Sequence, residues 1–188
     1  LDRDEARARL GIDPAARVVL FPADPAIPVK DYPLFEAAVA RLPAELRGRV
    51  VTRVLGAVEP EDAPWHVAAA DVVVLTSRQE SGPLVVKEAL ACGVPVVAVG
   101  VGDVPETLGG VEGCAVVPRD PDRIAEAVAE VIEAAERGER PEPESLRRRI
   151  FEIGLDDGSI AVRLLALYRE VLAGQVGRDP RVRGRGAG

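Results

Sequence analysis

Residues Asp71–Asp103 read DVVVLTSRQESGPLVVKEALACGVPVVAVGVGD, and this stretch decides the fold. An apolar run, Val72 to Leu75, ends in a polar turn from Thr76 to Gly82. A helix is predicted over Pro83 to Cys92, and a second apolar run, Val94 to Val99, leaves over Gly93. Strand, turn, helix, strand is a βαβ unit. Strands apolar on both faces suit a parallel sheet covered by helices on each side. Pro83 suits the first helical position, where its missing N–H costs nothing, and Gly93 suits a left-handed helix stop.

The start of that helix carries chemistry. The amides of Gly82, Leu84 and Val85 are expected to be unpaired and, with the positive end of the helix dipole, to favour an anion such as phosphate. Gly82 has no Cβ and permits close backbone approach. Glu80 lies in the turn, at the carboxyl end of a strand, where ligands bind in such sheets. Glu88 lies in the second turn, and helical side chains lean back toward the N-terminus, so its carboxylate is within reach of the same mouth. Carboxylates do not hold phosphate; they suit the hydroxyls of a sugar and a ribose on either side of it. The pattern is compatible with a nucleotide sugar.

ESGPLVVKE (Glu80 to Glu88), followed by ALACGVPVV, resembles the E-x7-E signature of family 4 retaining glycosyltransferases of the GT-B fold. FPADPAIPVKDYPLFEAAVARL, WHVAAADVVVLTS and VGDVPETLGGVEGCAVVPRDPDRIAEAV resemble the donor-binding half of the same enzymes, in the same order, so the likeness covers roughly residues 10–172. The resemblance implies that Glu80 contacts the donor sugar, as the residue nearest the chemistry, and that Glu88 binds the ribose. It implies that Lys30, with the mouth formed by Ser81, Gly82, Pro83 and Leu84, holds the diphosphate. The family's diphosphate arginine has no counterpart, because the candidate positions hold Pro25 and Ile27. The turn after the second strand carries Gly102-Asp103 where the family commonly has Gly-Gly. The implied function is the C-terminal, donor-binding half of an enzyme that transfers a sugar from a nucleotide-diphosphate sugar to an acceptor, with retention and without metal or other cofactor. The N-terminal acceptor-binding domain is missing, so donor binding without turnover is expected, with a peripheral membrane or lipid acceptor in the full enzyme. A non-catalytic nucleotide-sugar-binding module and a GT-B fold epimerase are the alternatives.

The remainder of the chain fits one α/β domain: a Rossmann-like, doubly wound, mainly parallel sheet of about five strands flanked by helices. At 188 residues there is length for one core. The net charge of −7 argues against nucleic acid as a partner. No apolar run approaches the ~20 residues of a membrane span. The start at Leu1, with no signal peptide, reads as a trimmed or fragmentary chain, and a cytoplasmic location is expected. Cys92 and Cys114 read as buried thiols, and the lone His66 as structural or exposed. Residues 1–16 are expected to be a linker with a short helix before Gly11, its Asp2-Arg3-Asp4 solvated. Residues 17–173 form the donor domain. The second strand, Val50 to Leu55, reads as nearer an edge. Asp120 and Pro121 read as a helix cap and first helical residue. A last helix from Ser159, its plausible cap, is expected to bury Ile160, Leu164, Tyr168 and Val171. Residues 174–188 read as a disordered Arg/Gly-rich tail.

Overall fold

The computed structural model describes residues 1–174. In order they form α1 (Arg3–Arg9), β1 (Arg17–Phe21), α2 (Tyr32–Ala40), α3 (Ala44–Arg47), β2 (Val50–Val54), α4 (Ala63–Ala68) and β3 (Val72–Leu75). There follow α5 (Leu84–Ala91), β4 (Val96–Val99), α6 (Val104–Leu108), β5 (Ala115–Val117), α7 (Pro121–Glu136), α8 (Pro143–Glu152) and α9 (Asp157–Leu172). Contacts divide the chain after Ile150 into two compact units.

In the first unit the strands pair in the order β2-β1-β3-β4-β5, all parallel. Alternation along each central strand sorts its side chains between two cores. Val18, Leu20, Val73, Leu75, Val96 and Ala98 face one core with Val86, Ala89 and Leu90 of α5. Val19, Phe21, Val72, Val74, Val97 and Val99 face the other with Phe35 of α2 and Ile124, Val128 and Ile132 of α7. At about 1.5–3 kcal/mol for each fully buried Val or Leu, the three central strands carry much of the driving force. β2 lies at the sheet edge, as its more polar sequence predicts, and Val51 and Thr52 are exposed.

Local signals set the helix ends. Asp120 accepts from the amides of Asp122 and Arg123, and Pro121 opens α7. Gly93 and Gly138 both take positive φ, the stops their positions predict. Pro83 is the extended residue before α5 rather than its first helical residue. Residues 1–16 are tied into the sheet. Asp2 caps α1 through the amides of Asp4 and Glu5, so it is a helix cap rather than free charge. Arg7, only 1% exposed, donates to Asp71 at 2.7 Å and to the carbonyls of Ala69, Pro14 and Ala16. Burial pulls its pKa down from the ordinary guanidinium value, although Asp71 pulls it up.

In the second unit, which begins at Phe151, Asp156 caps α9 by accepting from Ser159 N, so the cap is Asp156 and not Ser159. No residue of α9 is buried, and Leu164, Tyr168 and Val171 are 45%, 58% and 48% exposed. The apolar spacing defines a face; it does not supply a cover for it. The tail expected over 174–188 lies, from residue 175 on, outside the described residues.

Candidate functional site

Because every strand runs the same way, the loops after β1, β3, β4 and β5 all emerge at one edge of the sheet, the carboxyl ends of the strands. They are locked to one another there. Asp31 stands at φ 53°, 6% exposed, at the start of α2. Its carboxylate accepts from Arg78 at 3.1 Å and from Arg119, which also donates to the carbonyls of Thr76 and Ser77 at 2.9 Å each. The Thr76 hydroxyl donates to Lys30 O and Asp31 O at 3.0 and 3.1 Å, and Arg78 N donates to Val29 O at 2.7 Å. Charge-assisted bonds from two loops to one buried carboxylate on a third fix the loop geometry before any ligand arrives.

On this frame the sequence-predicted residues take their places. Lys30 Nζ donates to Glu80 Oε1 at 2.6 Å, bringing together residues fifty positions apart. Gly82 sits beside a second ion pair, Lys87 to Asp103 at 2.7 Å; a Cβ on Gly82 would lie 3.1 Å from Asp103 Oδ2 and 3.2 Å from Lys87 Nζ. Gly102, at φ +54°, lets the turn after β4 close onto the backbone of Glu80 and Ser81. No side chain caps α5, and no acidic residue occupies its first turn, so the amide end of this helix is left for an anion. Leu84 is 67% exposed at that end, and Pro83 is buried beneath it. Glu88 stands exposed on α5 and is not a member of the Lys30–Glu80 pair.

Sequence reasoning did not reach Asp31, Thr76, Arg78, Arg119 or Lys87. Asp31 before Tyr32-Pro33 carries a helix-start signal, but nothing local ties Asp31 to Arg119, 88 residues away. His66 takes no part in these networks. Burial, with help from Arg53, holds it below the ordinary histidine value, and its Nδ1 is buried without a partner. A histidine depressed in the fold contributes stability above its unfolded pKa, and that contribution is lost as pH falls through the folded value. The chain is therefore expected to lose stability on acidification below about pH 6.5, the unperturbed histidine value. The loss should be smaller in His66→Gln; parallel melting curves from pH 7 to 5 for the two proteins would contradict this. Cys92 and Cys114 are free thiols, and burial pushes Cys114 up to about 11, the mark of an inert structural thiol. Among the described residues no helix is long and apolar enough to cross a membrane.

A five-stranded parallel sheet, helices on both faces and a helix N-terminus bracketed by lysines and carboxylates define the class: a Rossmann-like half of a GT-B glycosyltransferase. The family model "Glycosyl transferases group 1" matches residues 29–134, and the chain belongs to that family. It is 33% identical to D-inositol 3-phosphate glycosyltransferase 1 of Catenulispora acidiphila, over 94% of this chain and 50% of that protein. It superposes on sucrose-phosphate synthase from Thermosynechococcus elongatus with TM-score 0.77 and 25% identity, over 92% of this chain and 50% of that one. It also matches, with TM-score 0.56 and 22% identity, an Anabaena protein solved in complex with UDP-glucose, over 81% of this chain and 52% of that one. The chain thus spans about half the length of the relatives it matches.

Proposed function

We propose that these residues form the donor-binding half of a glycosyltransferase that moves a sugar from a nucleotide-diphosphate sugar to an acceptor, with retention and without a metal. The observation that carries this reading is the convergence of Lys30, Glu80 and the uncapped start of α5 at the carboxyl edge of the sheet. Lys30 and the Ser81–Leu84 mouth take the diphosphate, with ammonium and helix dipole supplying the positive charge a metal otherwise brings. Glu80 takes the sugar hydroxyls and Glu88 the ribose. A fold neighbour that holds UDP-glucose supports this class of ligand. The acceptor site belongs to a half outside these residues, so the chain binds donor without transferring its sugar. Two free thiols fit a reducing, cytoplasmic setting.

The test is calorimetric titration of the chain with UDP- and GDP-sugars beside Glu88→Ala. Hydrogen bonds to a charged group are worth about 1.5–3 kcal/mol, so the variant should bind about ten- to a hundredfold more weakly. No sugar transfer is expected from either protein. Silence across the panel, or a Glu88→Ala affinity equal to that of the parent, would remove the donor site as drawn.

A further inference from the structure

We propose that Lys87 is a further donor-binding residue, one whose ammonium supplies a second set of N–H donors for the diphosphate of a nucleoside diphosphate. This rests on the reading of the mouth as the donor site. The resemblance expects an arginine as well as a lysine in the loop after β1. Here Lys30 stands for the lysine, but Ile27, 41% exposed, presents only hydrocarbon. A diphosphate met by one lysine and a helix end is under-neutralised, so a second cation at the same mouth matters.

α5 provides it. Lys87 lies on the first turn of that helix, and its side chain is only 16% exposed. Its Nζ lies 3.2 Å from the place a Gly82 Cβ would occupy, so the ammonium sits over the glycine that opens the anion mouth. A phosphate oxygen accepting from the first-turn amides of α5 comes within reach of this ammonium. Lys87 donates to Asp103 Oδ2 at 2.7 Å, and an ammonium has three N–H donors, so donors remain for phosphate.

The partner strengthens the inference. Asp103 stands where the resemblance expects glycine, and its other carboxylate oxygen, Oδ1, is buried without a donor. An unaccompanied carboxylate beside Gly82 would repel a diphosphate. With Lys87 against it that repulsion is offset, and the ammonium, with N–H donors left over, is held in place for the ligand. The lysine and the aspartate make sense together: Asp103 aims Lys87, and Lys87 masks Asp103. Lys30 and Glu80 repeat the arrangement across the mouth at 2.6 Å. Two lysines, each held by a carboxylate, therefore flank the start of α5.

The experiment titrates the chain with UDP, GDP and ADP, then with the monophosphate and nucleoside of whichever base binds. Lys87→Met is expected to weaken the diphosphate at least tenfold, the monophosphate less, and the nucleoside hardly at all. Lys87→Arg should restore most of the diphosphate affinity. Lys87→Gln provides a polar substitute should the methionine variant fail to fold. Glu88→Ala, by contrast, should weaken all three ligands to a similar degree, because each carries the ribose. Losses in Lys87→Met or Lys87→Gln that are equal for diphosphate and nucleoside would make Lys87 a strap between α5 and the following turn, and would overturn the proposal. An unchanged diphosphate affinity would overturn it too, while leaving the donor site standing. Failure of the parent chain to bind any of the three diphosphates would overturn both.

Discussion

Asp71→Ala is expected to destabilise the first compact unit by about 3–5 kcal/mol, the usual consequence of stripping the partner from buried charge. At roughly 2–4 °C for each kcal/mol in a chain of this size, the melting temperature should fall by about 6–20 °C. Asp71 is 4% exposed and accepts from Arg3 at 2.5 Å, Arg7 at 2.7 Å, Arg140 at 3.4 Å and the amide of Val18 at 2.7 Å. Removing it leaves three guanidinium groups facing one another, with Arg7 sealed from water and Val18 N without an acceptor. Asp71→Asn separates the contributions. It keeps an acceptor for Val18 but not the charge, so it should recover only a minor share of the loss. Urea or thermal denaturation checks both, and an Asp71→Ala chain that melts within 2 °C of the parent would contradict the account.

Gly102→Ala should have the second-largest effect, and it couples stability to the site. A Cβ there would lie 2.7 Å from both Glu80 O and Ser81 O, on a residue at φ +54°. The left-handed conformation costs a residue with a Cβ about 1–2 kcal/mol. Forcing apart a packed contact adds about 1–3 kcal/mol. Gly110 serves as the control, for it also has positive φ (+75°), but a Cβ there meets nothing within 4 Å. Gly110→Ala should lose only the conformational part. Gly102→Ala should lose more and, by shifting the turn that carries Glu80 and Ser81, should weaken nucleotide-sugar binding more than tenfold. Equal losses in melting temperature, together with unchanged binding, would show that the turn yields freely.

How much of this was legible in the sequence follows from the range of each interaction. The βαβ unit was legible because Val72–Leu75 and Val96–Val99 are apolar on both faces, and burial on both faces is what they meet. Asp120, Gly93 and Gly138 act within a few residues of themselves, and each does what its position suggests. Lys30 and Glu80 were placed at one mouth by resemblance, and the structure adds their contact. The ties from Asp31 to Arg119 and from Asp71 to Arg7 span 88 and 64 residues, and no local periodicity encodes them. The last helix shows the converse. Its stripe of Ile160, Leu164, Tyr168 and Val171 was visible, but a stripe states only that a face is apolar, and in the described residues Leu164, Tyr168 and Val171 stand exposed with Ile160 half-buried.

The strand order also bears on how the chain matures during synthesis. Of the five strands β1 is synthesised first but ends between β2 and β3, and its earliest available neighbour in the sheet is β2 at Val50–Val54. Until β3 follows, this sheet is only a two-stranded ribbon, a unit of marginal stability in water. Its other apolar edge is open, and Arg3 and Arg7 of α1 have not yet met Asp71. Asp71 immediately precedes β3, so neutralisation of α1 and closure of the sheet centre arrive within five residues of one another. The order of emergence thus joins two late events into one step. A ribosome paused before that point displays an aggregation-prone intermediate, and one paused just after it displays a sheet centre that can consolidate while the rest is made.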